Sequence, residues 1–115
     1  MIHFMSEKRA NELRAEGNSA DVELKLTDGL LAPSSVLQTF WRSVLHDSDH
    51  WEVVKKGYQQ ELMSDCCQAG IELLYFYDKC GKNVWVTCEC DEAPQCARQL
   101  VAEVLAAKDV EVFVE

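Results

Sequence analysis

The feature that most constrains the fold is a short alternating tract in the first quarter of the chain. Between Asp21 and Thr27 apolar residues occupy every second position, which is the period of a half-buried β-strand. The dipeptide Asp28-Gly29 follows, and it is a strong signal for a tight turn between antiparallel strands. Residues 30–32 could then form a short returning strand. The tract therefore predicts an early β-hairpin.

Three later segments carry helical patterns. Pro33 and the two serines after it suit the first turn of a helix, whose apolar residues recur at helical spacing. The Ser-Asp pair at 64–65 can cap a second helix, which is expected to run to about Tyr77. The acidic residues at 91–92 favour the start of a third helix, which continues through Ala107.

Three further segments complete the secondary-structure prediction. Residues 84–89 alternate and predict a strand, and residues 110–114 predict a last strand or an extended tail. Residues 51–62 are ambiguous, because residues 52–54 favour a strand and Gly57 interrupts it. With strands clustered early and helices dominating afterwards, the order predicts an α+β domain and not a regular alternation of parallel strands and helices.

The first seventeen residues predict a short helix with a thin apolar face. Ser6 can cap this helix and Gly17 can end it, while Met5 and Leu13 are among its main apolar residues. A helix this short and polar is marginal on its own. We therefore expect it to dock either against the rest of the domain or against a second copy of the chain.

Length and charge limit the number of domains and the classes of partner. A chain of 115 residues fits a single domain, residues 1–115. It carries 11 Lys and Arg against 20 Asp and Glu, a net charge of −9, so nucleic acids and anionic membrane surfaces are not expected as partners. No apolar run is long enough to span a membrane and no secretory leader is recognisable, so we expect an intracellular location, cytoplasmic or nuclear.

Cysteine is unusually frequent, with six residues that all fall in the second half of the chain. In a reducing compartment, buried thiols acting as small apolar side chains are the first interpretation. A zinc site and redox chemistry remain as alternatives, although the spacing matches no common zinc motif. The zinc candidates are Cys80, Cys88, Cys90 and Cys96. No other cofactor is expected.

Other residues capable of chemistry form no recognisable catalytic motif. His46 and His50 could share a metal ion if they lay on one helix, but the Asp and Ser residues between them favour a solvated loop. A pH-sensitive contact is a further alternative, because histidine titrates near neutral pH. The sequence contains no nucleophile elbow, no phosphate-binding glycine loop and no nucleotide fingerprint. We therefore expect the chain not to be an enzyme.

Four stretches, in order and at compatible spacing, resemble the BTB/POZ domain, whose superfamily includes elongin C and the Skp-type cullin adaptors. The stretches are residues 11–26, 31–37, 72–77 and 101–109. The resemblance implies a small sheet, made from an early hairpin and later strands, packed with a cluster of about five helices. The chain departs from the family at Pro33, where the family usually has histidine. It also departs at residues 45–62, which contain no counterpart of the element that cullin-binding members carry.

The resemblance implies a non-catalytic interaction module that forms a homodimer or acts as an adaptor. Its N-terminal helix and first strand would mediate self-association, and another surface would contact a second protein, such as the cullin scaffold of a ubiquitin ligase. The residues expected at these interfaces are Met5, Leu13, Asp21, Val22, Leu45, Trp51, Trp85 and Phe113. Two alternatives stay open: an acidic viral-type inhibitor that binds a host or bacterial protein, and a small cysteine-rich zinc-binding protein.

Overall fold

Four parallel β-strands form a single sheet in a computed structural model that describes residues 1–44, 47–89 and 96–115. The strands are β1 (Ile2–Ser6), β2 (Val22–Lys25), β3 (Val84–Cys88) and β4 (Val112–Val114). Their order across the sheet is β2-β3-β1-β4, so β1 and β3 are central and each has two neighbours. Parallel neighbours cannot be joined by tight turns, so each connection crosses over through helical structure.

Five α-helices within the described residues make these connections. They are α1 (Glu7–Ala15), α2 (Ser35–Ser43), α3 (Trp51–Leu62), α4 (Asp65–Lys79) and α5 (Ala97–Ala106), with a short 3-10 turn at Ser48–His50. The α+β class predicted from the sequence is confirmed. The expectation that parallel strands would not alternate with helices is wrong, because all four strands are parallel and helices lie between them along the chain. None of the helices in the described ranges has both the length and the apolar character needed to cross a membrane.

The predicted early hairpin is wrong, although its first strand is confirmed as β2. Gly29 adopts a positive φ of 93° and the chain turns there, but residues 30–32 do not return as a strand. Instead, Leu31 is buried against α4, and its carbonyl oxygen accepts a hydrogen bond from the buried hydroxyl of Tyr58. The Leu31 carbonyl is thus bonded to a core side chain and not to a neighbouring strand. The strand β2 pairs with β3 instead of with a returning strand.

The prediction of a single helix over the first seventeen residues is also wrong in its first part. Ile2 and Phe4 belong to the central strand β1 and are completely buried. Both faces of a central strand are covered, so its apolar residues do not alternate with polar ones. The helix begins after Ser6, whose side chain accepts a hydrogen bond from the backbone N–H of Arg9 at 3.1 Å, as the sequence indicated.

The ambiguous tract 51–62 forms the helix α3, so the strand favoured at residues 52–54 is not present. Val54, Tyr58 and Leu62 lie four residues apart and are all buried, so one face of the helix belongs to the core. The predicted second helix is confirmed as α4, capped by Ser64. Of the two alternatives left open for residues 110–114, the structure has the strand, β4. The expected start of the last helix at 91–92 lies outside the described residues.

The two faces of the sheet are covered unequally. On one face, Phe4 and Val86 belong to the main core together with residues of α3, α4 and α5. On the other face, Met5 and Trp85 pack against Ala10 of the short helix α1. The carboxyl edge of the sheet, where β3 ends at Cys88, faces the region between α2, α3 and α5.

Candidate thiol site

Two cysteines and an arginine meet at the carboxyl edge of the sheet. Cys88 is the last residue of β3, and Cys96 is the residue immediately before α5. Arg98 lies in the first turn of α5. The packing of α5 against β3 brings these three side chains together. In open parallel sheets this edge is the usual position of a ligand or a reacting group.

The three side chains are in direct contact. The Sγ atoms of Cys88 and Cys96 are 2.9 Å apart and are not joined in a disulfide. Nη1 of Arg98 donates a hydrogen bond to the Sγ of Cys88 at 2.9 Å and lies 3.6 Å from the Sγ of Cys96. Solvent reaches only 4% of Cys88, none of Cys96 and 1% of Arg98. The cluster is therefore a buried dithiol held against a cation.

The electrostatics of the cluster favour a thiolate. The guanidinium of Arg98 is always charged, and burying such a charge is costly unless an anion or strong acceptors surround it. Because Nη1 of Arg98 lies within hydrogen-bond distance of the Cys88 Sγ, its positive charge favours the thiolate form of that sulfur. The amino end of α5, next to Cys96, adds the positive end of a helix dipole. Since the thiolate and not the thiol is the nucleophilic form of cysteine, the cluster is arranged for thiol chemistry.

Tyr58 of α3 closes one side of the cluster. Its hydroxyl is buried and donates a hydrogen bond to the carbonyl oxygen of Leu31. Burial raises the pKa of Tyr58 well above its ordinary value, and the nearby thiols of Cys67, Cys96 and Cys88 raise it further. Tyr58 therefore stays neutral at physiological pH and serves as a wall of the site, not as a proton acceptor.

A small apolar pocket opens onto this cluster. It has a cavity volume of about 50 Å³ and is lined mainly by side chains of α2 and α3. Its apolar lining includes Leu37, Trp41, Trp51 and Val54, and the two tryptophan rings are 5.6 Å apart. Cys88 is one of the residues that line the pocket, and Cys96 is not. A molecule entering the pocket would therefore meet Cys88 first.

The four zinc candidates are not gathered into one site. Cys88 and Cys96 are in contact, but Cys80 is exposed at the end of α4, and Cys90 lies outside the described residues. Across the described ranges, no group of three or more His, Cys, Asp or Glu side chains is placed to hold a metal ion. His50 lies in the 3-10 turn, and its possible metal partner His46 falls outside the described residues.

Two of the residues expected at interfaces are buried instead. Met5 and Trp85 lie beneath α1, and the guanidinium carbon of Arg14 is 5.8 Å from the centre of the Trp85 ring. Leu13 and Val22 are partly buried, and Trp51 lines the apolar pocket. Leu45 lies outside the described residues.

Among the described residues expected at interfaces, Phe113 and Asp21 are the exposed ones. The ring of Phe113 is 38% exposed and stacks on His3, with 5.0 Å between the ring centres. The side chain of Asp21 is also held by a contact within the domain. Its carboxylate accepts a hydrogen bond at 2.8 Å from the backbone N–H of Asn83, just before β3.

Arg98 is the member of the site that the sequence interpretation missed. The available signal was a Cys-x-Arg triplet, Cys96-Ala97-Arg98, at the start of an amphipathic helix. An arginine in the first turn is unusual because its charge opposes the helix dipole. Its burial shows that a specific contact, rather than solvation, holds it there.

Comparison with known proteins corrects the resemblance to the BTB/POZ domain. A family model described as "Active DUF488-N3 subclade" (DUF488-N3a) matches residues 5–109, and no curated protein or solved structure matches the chain. The BTB/POZ assignment and the adaptor function inferred from it, including the cullin and ubiquitin-ligase role, are therefore wrong. The short apolar patterns behind that resemblance occur in many amphipathic helices and strands. Because the match covers nearly the whole chain, the protein belongs to the DUF488-N3a family.

Proposed function

We propose that this domain carries a redox-active dithiol that performs thiol–disulfide exchange. The observation that carries the proposal is the 2.9 Å contact between the Sγ atoms of Cys88 and Cys96 beside the guanidinium of Arg98. A disulfide needs an S–S distance of about 2.05 Å, so oxidation by a substrate disulfide would join the two sulfurs after only a small closing movement. The family is described as an active subclade, without a named reaction.

The geometry supports different roles for the two cysteines. Cys88 borders the apolar pocket and has the shorter contact with Arg98, so its thiolate is the attacking group. It attacks one sulfur of a substrate disulfide, forming a mixed disulfide and releasing the other sulfur as a thiol after protonation. Cys96 then loses its proton and attacks the Cys88 sulfur, which forms the Cys88–Cys96 disulfide and releases the second substrate thiol. Two electrons pass from the protein dithiol to the substrate.

Arg98 is a positioning residue in this scheme. Its guanidinium reaches both sulfurs, with the shorter distance to Cys88, and so holds negative charge at the attacking thiol. Once the disulfide has formed, the attraction between Arg98 and the Cys88 thiolate is lost. Arg98 therefore favours the reduced dithiol, and the Cys88–Cys96 disulfide should be a stronger oxidant than the same disulfide without a neighbouring cation.

The proposal departs from our expectation that the chain is not an enzyme, an expectation that neither the fold nor the family match tests. A dithiol site suits a reducing intracellular compartment, where a cellular thiol reductant would restore Cys88 and Cys96 after each exchange. Pairing of the chain with itself or with another protein stays a prediction.

The proposal is tested by titrating the reduced protein in thiol–disulfide buffers of stepped potential. Thiols remaining at each step are trapped by alkylation and assigned to residues by peptide mass spectrometry. We expect one two-electron transition in which Cys88 and Cys96 disappear together as thiols. The Cys88→Ser and Cys96→Ser variants should each lack this transition.

Cys80→Ser is the matched control, because Cys80 is exposed and outside the cluster. It should keep the transition of the unmodified chain. The proposal is wrong if Cys88 and Cys96 both remain thiols across the whole range of potentials. It is also wrong if only exposed cysteines such as Cys66 and Cys80 form disulfides.

A further inference from the structure

The pocket beside Cys88 restricts what kind of molecule can reach the attacking sulfur. Leu37, Trp41, Trp51 and Val54 supply apolar walls, and Cys88 borders the same space. A cavity of about 50 Å³ is several times the volume that one water molecule needs, yet it is too small for a large ring system. The space suits an apolar group of a few heavy atoms.

Two polar side chains that line the pocket, Gln38 and Tyr58, already make hydrogen bonds within the protein. Nε2 of Gln38 donates to the carbonyl oxygen of Pro33 at 2.7 Å, and the hydroxyl of Tyr58 is bonded to the carbonyl of Leu31. A polar ligand group would have to break such bonds or remain unpaired in an apolar space, and both outcomes cost free energy.

Charge at the pocket entrance also selects against anions. Among the described residues that line the pocket, Arg42 is the exposed cation, and its guanidinium binds the carboxylate of Glu89, with Nε 2.9 Å from Oε1. The ion pair leaves little positive charge to attract an anionic ligand. The net charge of −9 on the chain repels such a ligand further.

We infer that the substrate of the dithiol is an uncharged disulfide whose sulfur carries a small apolar group, and that this group binds between α2 and α3. This inference rests on the proposed function and specifies its substrate class. With the apolar group in the pocket, the adjoining substrate sulfur faces the Sγ of Cys88. The reaction consumes the protein dithiol and one disulfide, and it yields the Cys88–Cys96 disulfide and two apolar thiols.

Three disulfides that differ in polarity and charge test this inference. Diethyl disulfide is apolar, bis(2-hydroxyethyl) disulfide has nearly the same skeleton but is polar, and glutathione disulfide is anionic. The rate at which each forms the Cys88–Cys96 disulfide is measured by rapid acid quench and mass spectrometry. Each rate is divided by the rate of the same reagent with free dithiothreitol, which removes differences in intrinsic reactivity.

We expect the corrected rate with diethyl disulfide to exceed the rates with the other two reagents by about tenfold or more, the discrimination typical of an apolar pocket. Leu37→Phe, which fills the pocket, should abolish this preference. Val36→Phe is the matched control, because Val36 precedes Leu37 on α2 and is 79% exposed. It should preserve the preference.

The possible results separate the two proposals. Equal corrected rates for the three reagents would overturn the substrate class and leave the dithiol proposal standing, as would a preference that Leu37→Phe retains. Failure of every reagent, and of the stepped redox buffers, to join Cys88 to Cys96 would overturn both. If Leu37→Phe does not fold, the comparison of reagents on the unmodified protein still decides the question.

Discussion

The guanidinium of Arg98 lies 2.9 Å from the thiol of Cys88, although solvent reaches almost no part of either side chain. A buried arginine beside a sulfur is stable only if negative charge or hydrogen-bond acceptors surround it. The pair therefore explains two features together, namely the burial of a charged residue at the start of α5 and the chemistry available at the end of β3.

Replacing Arg98 should slow the reaction of Cys88. Arg98→Met keeps much of the side-chain length but removes the charge, so the thiolate becomes less favourable. We expect the rate of alkylation of Cys88 by an uncharged reagent at neutral pH to fall by about tenfold or more. The pH profile of the reaction should also move to higher pH. Alkylation is followed at Cys88 by peptide mass spectrometry, since exposed cysteines react as well.

Arg98→Lys is the conservative partner of this variant, because it keeps a positive charge with different geometry. It should restore part of the rate lost in Arg98→Met. The role assigned to Arg98 is contradicted if Arg98→Met folds, as judged by circular dichroism, and alkylates with the rate and pH profile of the unmodified protein.

Gly70 is required by the close approach of α4 to the segment after β2. A Cβ at this position would lie 2.7 Å from Cγ of Leu31, a buried branching atom. The clash costs about 1–3 kcal/mol, which more than offsets the gain of about 1 kcal/mol from a better helix former. We expect Gly70→Ala to lower the free energy of unfolding in urea by up to about 2 kcal/mol.

Gly57→Ala is the control for Gly70→Ala. Its Cβ would meet only the terminal methyl groups of Leu37, the nearer at 3.2 Å, and these can move. Its stability should be unchanged or higher by up to about 1 kcal/mol. A Gly70→Ala protein as stable as Gly57→Ala would show that Leu31 does not pack as the structure describes.

Tyr58 should make the folded state sensitive to alkaline pH. Burial raises its pKa in the folded protein, while in the unfolded chain the pKa is about 10. The folded state therefore keeps this proton more tightly than the unfolded state does. The contribution to stability is complete below about pH 10 and is lost as the pH rises above that value. Urea unfolding at a series of alkaline pH values measures this loss.

Tyr58→Phe should change both the stability and its pH dependence. At neutral pH the variant should lose about 1–3 kcal/mol, because the carbonyl of Leu31 is left unpaired in the core. Above about pH 10 its stability should fall less steeply than that of the unmodified protein. Tyr75→Phe is the control, since Tyr75 is 39% exposed. An identical alkaline slope for Tyr58→Phe and the unmodified protein would refute the assignment.

Glu61 of α3 should stabilise the start of α2. Its carboxylate accepts hydrogen bonds from the backbone N–H and the hydroxyl of Ser34, at 2.7 and 2.9 Å. The same hydroxyl accepts from the N–H of Leu37 and caps α2. We expect Glu61→Ala to lower stability by about 0.5–1.5 kcal/mol in thermal melts, whereas Glu72→Ala on the exposed surface of α4 should have little effect.

A double-mutant cycle separates this contact from a general effect of charge. If Glu61 acts through Ser34, the losses in Glu61→Ala and Ser34→Ala should not add in the double variant. Full additivity would place the effect of Glu61 elsewhere.

Much of the local structure could be predicted from the sequence, because it depends on neighbours along the chain. Ser6, Ser34 and Ser64 each cap the helix that follows, as their positions indicated. The alternating tract forms β2, and the helical spacing before Tyr77 forms α4. Caps and apolar periodicity are read within a few residues, so no knowledge of the fold is needed to interpret them.

The sequence by itself determined the caps, the amphipathic helices and the alternating strand, whereas only the tertiary structure decided the pairing of strands and the thiol site. Residues 1–6 become a central strand because β3, which begins 78 residues after β1 ends, pairs with it. Cys88 and Arg98 meet because α5 packs back onto the strand that precedes it. Such contacts depend on burial and packing between distant segments, and no local propensity specifies them.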